Sequence, residues 1–179
     1  AATVDVAVTA LNSSIEAMNK IKAKLVAARA PGLDRTKIQT EISSLLAELK
    51  STSESAVFSG ENWLQGDSTG PTTKSIVASF SRDISGAVSI GTIELDVGPT
   101  GTMMYDTSGS AAGIMDQVRT PPSGGADYTI ATLDISTITD DPADLTMLEE
   151  IVDGVDAAIA SMTDAATLLG AAKSRITLQ

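Results

Sequence analysis

The feature that most constrains this chain is an apolar stripe with heptad spacing at each of its two ends. A repeat of 3.5 residues keeps one side of a helix facing a partner along its whole length. The N-terminal stripe consists of Val4, Val8, Leu11, Ile15, Met18, Lys22 and Leu25. The C-terminal stripe consists of Leu148, Val152, Val155, Ile159, Met162, Ala166, Leu169, Lys173 and Ile176. The spacing therefore predicts two long helices that pair with each other.

Composition agrees with a helical rod. Hydrophobic residues make up 42% of the chain but aromatic residues only 3%, so the core has to be aliphatic. Aliphatic side chains are the ones that heptad seams accommodate in defined rotamers. The two lysines in the stripes, Lys22 and Lys173, are expected to lay their stems on apolar surface and keep their amines in water.

Charge and residue content exclude several classes of function. The net charge is -11, which argues against partners such as nucleic acid or an anionic membrane surface. His and Cys are both absent, so the chain has no imidazole base, no thiolate nucleophile and no zinc-thiolate site. We therefore predict a protein that is not an enzyme and that needs no cofactor or metal.

Residues that typically begin or end helices divide the chain into three predicted helices. Pro31 and Gly32 end a first helix over residues 3–29, and Asp34 is placed to cap a second helix that runs to about residue 56. Asp141 and Pro142 open a third helix that continues to the C-terminus. The connection between the first two helices is short, so these helices should lie antiparallel.

The middle of the chain follows a different period. Alternation through Ile76, Ala78 and Phe80 predicts a strand, and a returning strand makes residues 74–97 a hairpin with a bulge at Gly91. Dense Gly and Pro in residues 98–126 predict loops, with short strands near 103–105 and 127–135. The predicted fold is α+β and mainly α. A long antiparallel rod of three helices with the hairpin (1–97 plus 136–179) carries a small inserted outer domain (98–135).

Acidic residues before the third helix raise the question of a calcium site. Asp134, Asp140, Asp141 and Asp144 lack the alternating spacing and the bidentate Glu of a calcium loop. Helix capping accounts for Asp140 and Asp141 without a metal, so we favour that interpretation.

Motifs at both ends of the chain resemble those of one family, the bacterial flagellins. The N-terminal motifs are Ile38-Gln39-Thr40-Glu41-Ile42 and Phe58-Ser59-Gly60-Glu61-Asn62-Trp63-Leu64. The C-terminal motif is Leu169-Gly170-Ala171-Ala172-Lys173-Ser174-Arg175-Ile176. These variants are similar to rhizobial-type flagellins, and the resemblance covers about residues 8–97 and 140–178.

The resemblance implies an extracellular, structural subunit of the flagellar filament that serves motility and is exported without a cleaved signal. Its implied partners are other flagellin subunits, an export chaperone and a cap protein. The implied rod is the D1 domain. The terminal D0 segments of the family are missing from this sequence, so this piece is expected to be monomeric.

One departure from the family concerns recognition by the Toll-like innate receptor. Flagellins that the receptor recognises carry Arg-x-Arg-Glu-Leu in the first helix. The matching stretch here is Lys20-Ile21-Lys22-Ala23-Lys24, with Lys24 in place of the apolar residue. A charge in place of an apolar anchor is costly in a packed interface, so we predict weak or absent recognition.

The leading functional hypothesis is a filament subunit that acts by lateral packing of its rods. The candidate lateral contacts are the charges at the corner between the first two helices, which we expect to be exposed: Arg29, Asp34, Arg35 and Lys37. The alternative is a surface adhesin or glycan-binding module, whose stacking residues would be Trp63, Tyr105 and Tyr128. An enzyme in the inserted region is disfavoured because His is absent.

Overall fold

A computed structural model describes the backbone of residues 2–178 and their side chains except those of residues 78–80, 177 and 178. It contains three helices: α1 (Ala2–Ala27), α2 (Arg35–Glu54) and α3 (Pro142–Leu178). Six strands form three two-stranded sheets. The predicted class, mainly α with some β, is confirmed.

The helix α1 packs against both α2 and α3. Ion pairs show that α1 and α3 run antiparallel, since Asp5 near the start of α1 contacts Lys173 near the end of α3 at 2.6 Å. Near the other end, Lys22 contacts Asp156 at 2.7 Å. The two terminal regions thus pair along the rod, as the heptad stripes predict.

The helix boundaries follow from the predicted caps. The Asp34 carboxylate accepts hydrogen bonds from the amides of Thr36 (3.1 Å) and Lys37 (3.3 Å), which satisfies two free donors of the first turn of α2. At the start of α3, the Asp141 carboxylate accepts from the Ala143 amide at 3.0 Å. Pro142 is the first residue of α3, where its missing N–H has no cost.

Two short strands, β1 (Val57–Phe58) and β2 (Glu61–Asn62), pair antiparallel directly after α2. The two residues between them, Ser59 and Gly60, both have positive φ angles, of 53° and 78°. Positive φ at both central positions produces the tight turn that matches the twist of the flanking strands. Ser59 and Gly60 thus form the tight turn of this short hairpin.

The long hairpin consists of β4 (Thr73–Arg82) and β5 (Val88–Asp96). The pairing register of the two strands shifts beside Gly91, where the sequence predicted a bulge. The extra residue lies on β4, between Val77 and Ser79, and not on β5 at Gly91. The side chains predicted to alternate at Ala78 and Phe80 lie outside the described residues. At the base of the hairpin, Ile93 and Leu95 turn inward and are buried.

The segment 98–135 is mostly irregular. Its strand β6 (Tyr105–Asp106) pairs in parallel with β3 (Gln65–Gly66), close to one predicted strand. The strand predicted over 127–135 is wrong, because these residues form turns with one isolated bridge between Tyr128 and Arg119. The segment contributes buried residues such as Met104 and Ile130 to the same hydrophobic cluster as the helices. Its status as a separate domain stays a prediction.

Within the described residues, no helix is both long enough and apolar enough to span a bilayer.

Candidate functional site

The corner between α1 and α2, together with the start of α3, collects the charged residues that the sequence singled out. Three of them remain exposed: Arg29, Asp34 and Lys37. Arg29 forms an ion pair with Glu149 of α3. The Lys37 side chain has neither an ion pair nor a hydrogen bond in the described part of the chain. The corner thus presents a charged surface whose role in assembly stays a prediction.

Arg35 differs from the prediction, because it is buried with only 6% of its surface exposed. Its guanidinium donates to the backbone carbonyls of Ala28 (2.9 Å), Ala30 (3.4 Å) and Ile138 (3.4 Å). It also donates to the Asp140 carboxylate at 2.9 Å. The prediction that Arg35 is an exposed charge is therefore wrong, and this side chain instead joins the α1–α2 turn to the segment before α3.

Asp140 is the corner residue that sequence reasoning missed, since it was assigned to helix capping with Asp141. Its carboxylate binds Arg35 and also accepts from the Gly32 amide at 3.1 Å. The hydrogen bond from Arg35, followed by the bond from Gly32, lowers the pKa of Asp140. The signal in the sequence was weak, because one aspartate suffices to cap α3 and the second had no assigned partner.

The predicted seam residues all lie inward. Those fully buried are Leu11, Met18, Leu25, Val152, Val155, Met162 and Leu169, and those partly buried are Val8, Ile15, Ile159 and Ile176. In the structure, the centre of the α1 seam differs from the predicted stripe, because every second position lies one residue earlier in the sequence. Its residues are Val4, Ala7, Leu11, Ser14, Met18, Ile21, Leu25 and Ala28. The α3 seam shifts in the same way, to Leu148, Ile151, Val155, Ala158, Met162, Ala165, Leu169 and Ala172. Small residues therefore alternate with large ones along both helices, except where Ile21 on α1 and Ile151 on α3 take the place of a small residue.

This shift moves both seam lysines to the edge of the helix pair. Lys22 and Lys173 bind Asp156 and Asp5 across the seam instead of lying within it. The pairs share one register. The spacing of 17 positions between Asp5 and Lys22 on α1 equals the spacing between Asp156 and Lys173 on α3. Each exposed pair contributes only about 0.2–1 kcal/mol, so their main effect is to select this register.

The outer half of the β4–β5 hairpin exposes apolar side chains. Val77, Val88 and Ile90 are each about half exposed, and Ile84 at the tip is fully exposed. Contiguous exposed apolar surface on a folded protein marks a protein interaction site more often than chance. The hairpin is therefore a second candidate contact surface beside the corner.

The aromatic residues proposed for glycan stacking are not available on the surface. Trp63 and Tyr105 are buried, with 5% and 8% of their surfaces exposed, and the Trp63 indole donates to Glu61 at 3.1 Å. Tyr128 is partly buried and lies over Gly154, where any side chain would collide with its hydroxyl. The geometry thus offers no exposed aromatic platform from these three residues.

The acidic residues considered for calcium have local hydrogen-bond roles. Asp134 accepts from the Ser136 amide at 2.8 Å, and Asp144 accepts from the Thr139 amide at 2.8 Å and hydroxyl at 2.7 Å. Within the described residues, no group of three or more acidic side chains is arranged to hold a metal ion.

A buried carboxylate, Asp106, organises the loops beside β6. It accepts from the hydroxyls of Ser68 and Ser108 (each 2.6 Å), from their amides (3.1 and 3.0 Å) and from the Ala112 amide (3.1 Å). Burial raises the pKa of Asp106, but the hydrogen bonds from Ser108 and Ser68 outweigh burial and hold the pKa well below its ordinary value. The charged form of this group therefore stabilises the folded state.

We predict that Asp106→Asn lowers the free energy of unfolding at pH 7 by about 2 kcal/mol, since an amide replaces a charged acceptor of five donors. Because the pKa is lower in the folded state, the stabilisation is present above the ordinary pKa of about 3.9 and is lost as the pH falls further. Urea unfolding of the chain and the variant between pH 7 and pH 3 measures this. The difference should shrink below about pH 4. The exposed Asp127→Asn variant is the control, and a pH-independent difference for Asp106→Asn would contradict the assignment.

Comparison with known proteins gives consistent matches. The family described as "Bacterial flagellin N-terminal helical region" matches residues 1–69. Flagellin A of Rhizobium meliloti (strain 1021) is 51% identical over 119 residues, which are 66% of this chain and 30% of the relative. Flagellin C of the same strain is 38% identical over an alignment of 193 residues, covering 100% of this chain and 60% of the relative. The chain thus spans less than two thirds of the length of these relatives.

Proposed function

Because this chain belongs to the bacterial flagellin family, we propose that it is the helical rod of a structural subunit of the extracellular flagellar filament. In this role it serves motility through lateral packing of rods from many subunits. The family is one of structural proteins, not enzymes. The observation that carries the proposal is the match of the whole chain to Flagellin C together with the antiparallel pairing of α1 and α3.

The rod suits this role for a mechanical reason. A seam of buried aliphatic side chains runs from Val4 to Ala28 on α1, and the edge pairs fix its register. A filament spreads load over many weak contacts between neighbours, so each subunit has to hold its shape along its full length. The partners in this proposal are other flagellin subunits. By family resemblance, an export chaperone and a cap protein handle the full-length subunit before and during assembly.

The corner is the proposed lateral surface, with Arg29, Asp34 and Lys37 as its exposed members. Arg35 serves this surface indirectly by holding the turn that presents them. The test is made in the full-length subunit, with Arg29→Glu and Lys37→Glu combined, and filaments are examined by electron microscopy. Charge reversal at a contact introduces repulsion, so we expect markedly shorter filaments.

The control for the filament test is Lys20→Glu, which reverses an exposed charge of α1 away from the corner. It should leave filament length unchanged. Filaments of normal length in the corner variant would reject the corner as a lateral contact. Failure of the unaltered full-length protein to form any filament would reject the filament function itself.

Weak or absent recognition by the Toll-like receptor is also proposed. The charge at Lys24 is held in place by Glu41 of α2 at 2.8 Å, so a partner that needs an apolar residue there has to break this ion pair as well. We expect no saturable binding of the receptor ectodomain to the chain in surface plasmon resonance, and a gain of binding on Lys24→Leu. Nanomolar binding of the unaltered chain would refute this proposal.

A further inference from the structure

A groove of about 1220 Å³ with both polar and apolar walls runs between α2 and the loops of the 98–135 segment. Hydroxyl and amide groups line most of its length, with residues such as Thr40, Ser43 and Gln65 along the walls. Glu54 of α2, Tyr105 of β6 and Asp116 also belong to its lining. Neither the corner nor the hairpin includes this groove.

Tyr105 is the unusual member of this lining. Its side chain is more than nine-tenths buried, yet its hydroxyl forms no hydrogen bond with any described residue. Among the described residues, the fully enclosed side-chain atoms without a partner are Oδ1 of Asp116 and Nε of Arg119. The Tyr105 hydroxyl is therefore not sealed in the interior but opens to the groove. A buried phenol normally finds a partner, so an unpartnered one facing a groove points to a ligand.

The surroundings of this hydroxyl are negatively charged. Burial raises the pKa of Tyr105 well above its ordinary value, and the charges of Asp116 and Glu54 raise it further, so the phenol stays neutral. Asp116 accepts from the Asp106 amide at 2.8 Å through Oδ2, and its Oδ1 is enclosed by the protein and has no donor. One cation, Lys50, lies along the same groove. The field at the Tyr105 hydroxyl favours a positively charged donor.

We propose that the groove binds a primary ammonium group at the part of its lining that contains Glu54, Tyr105 and Asp116. An ammonium carries three donors and no acceptor, so it can bind the Tyr105 phenol oxygen and the exposed Glu54 carboxylate together, while Asp116 adds negative charge from the wall of the groove. An anion would face two carboxylates. A divalent metal is a poorer fit, since the described residues hold no group of three ligating side chains. The ammonium group belongs to a small diamine or to the lysine side chain of a peptide.

The test is a titration of the isotope-labelled chain at low salt, followed by nuclear magnetic resonance. One arm uses 1,4-diaminobutane and the other uses a blocked tripeptide of three lysines. We expect saturable shifts at Tyr105 and along α2 near Glu54. Binding of both probes assigns the site to the ammonium group as such, whereas binding of the peptide alone assigns it to lysine side chains.

Matched variants separate this site from general attraction to an acidic protein. Tyr105→Phe removes one acceptor but keeps the ring, and we expect about three- to tenfold weaker binding, with a similar loss for Glu54→Gln. The controls are Tyr128→Phe and Glu48→Gln, which lie outside the groove and should change binding by less than about twofold. Thermal unfolding of each variant checks that the fold is kept. Absence of saturable shifts with both probes, or equal weakening in test and control variants, would overturn the proposal.

Discussion

Replacing Arg35 with Met is expected to lower the free energy of unfolding by about 3 kcal/mol, because the variant leaves the buried Ala28 carbonyl and two partly buried carbonyls without a donor. The guanidinium donates to three backbone carbonyls, two of them in the turn just after α1 and one just before α3. A carbonyl that loses its donor away from water costs about 1–3 kcal/mol. Met matches the length of the side chain and isolates the loss of hydrogen bonds from the loss of packing.

The measurement for Arg35 is urea unfolding of the chain, monitored by circular dichroism of its helices. Arg29→Gln is the matched control, since Arg29 is an exposed arginine of the same corner whose ion pair to Glu149 is worth less than about 1 kcal/mol. Arg35→Lys should fall between these variants, because an ammonium lacks the planar fork that reaches several carbonyls. Equal small losses for Met and Gln variants would show that Arg35 is not the link that the structure describes.

The second prediction compares two isoleucines of α1 that only the tertiary structure distinguishes. Ile21→Ala should lower the free energy of unfolding by about 3–4 kcal/mol, since Ile21 is fully buried in the seam and its truncation leaves a cavity. Ile15→Ala should cost about 1 kcal/mol, because Ile15 is only partly buried at the edge of the seam. The residue type and the helix are the same, so helix propensity cancels in the comparison.

This pair of variants tests the seam itself. The stripe read from the sequence contains Ile15 and Lys22, and by that pattern Ile15→Ala would be the more damaging change. The structure places Ile21 in the centre and Lys22 at the edge, bound to Asp156. The denaturant concentrations at the unfolding midpoints of the two variants decide between the predicted seam and the observed seam, provided that the unfolding free energy depends equally steeply on denaturant in both variants. A larger loss for Ile15→Ala would reject the seam of the structure.

Local features of the sequence were sufficient to predict the secondary structure of the rod. Heptad spacing predicted that the two ends pair, and Asp34 and Pro142 predicted the starts of α2 and α3. The hairpin over residues 74–97 was also predicted from local chemistry. These features succeed because capping, turn formation and periodicity each depend on residues within a few positions of one another.

Prediction from the sequence was less successful for contacts between segments that are far apart along the chain. The strand expected over 127–135 is absent, because backbone groups of this segment bind other parts of the chain. Gln39 of α2 donates to the Leu133 carbonyl at 2.8 Å and accepts from the Ile135 amide at 2.8 Å. The groove around Tyr105 likewise joins α2 to a segment about 50 residues later. No local pattern shows that these groups come together.

The sequence by itself determined that α1 and α3 pair in an antiparallel rod and where the helices begin. Only the tertiary structure decided which residues occupy the centre of the seam and that Arg35 is buried. Two heptad registers share every seventh residue, here Leu11, Met18 and Leu25, and the choice between them depends on how closely the backbones approach. Burial of the Arg35 charge depends on an acceptor 103 residues away, at Ile138. Periodicity is a property of one helix, whereas both of these outcomes are properties of the contact between helices.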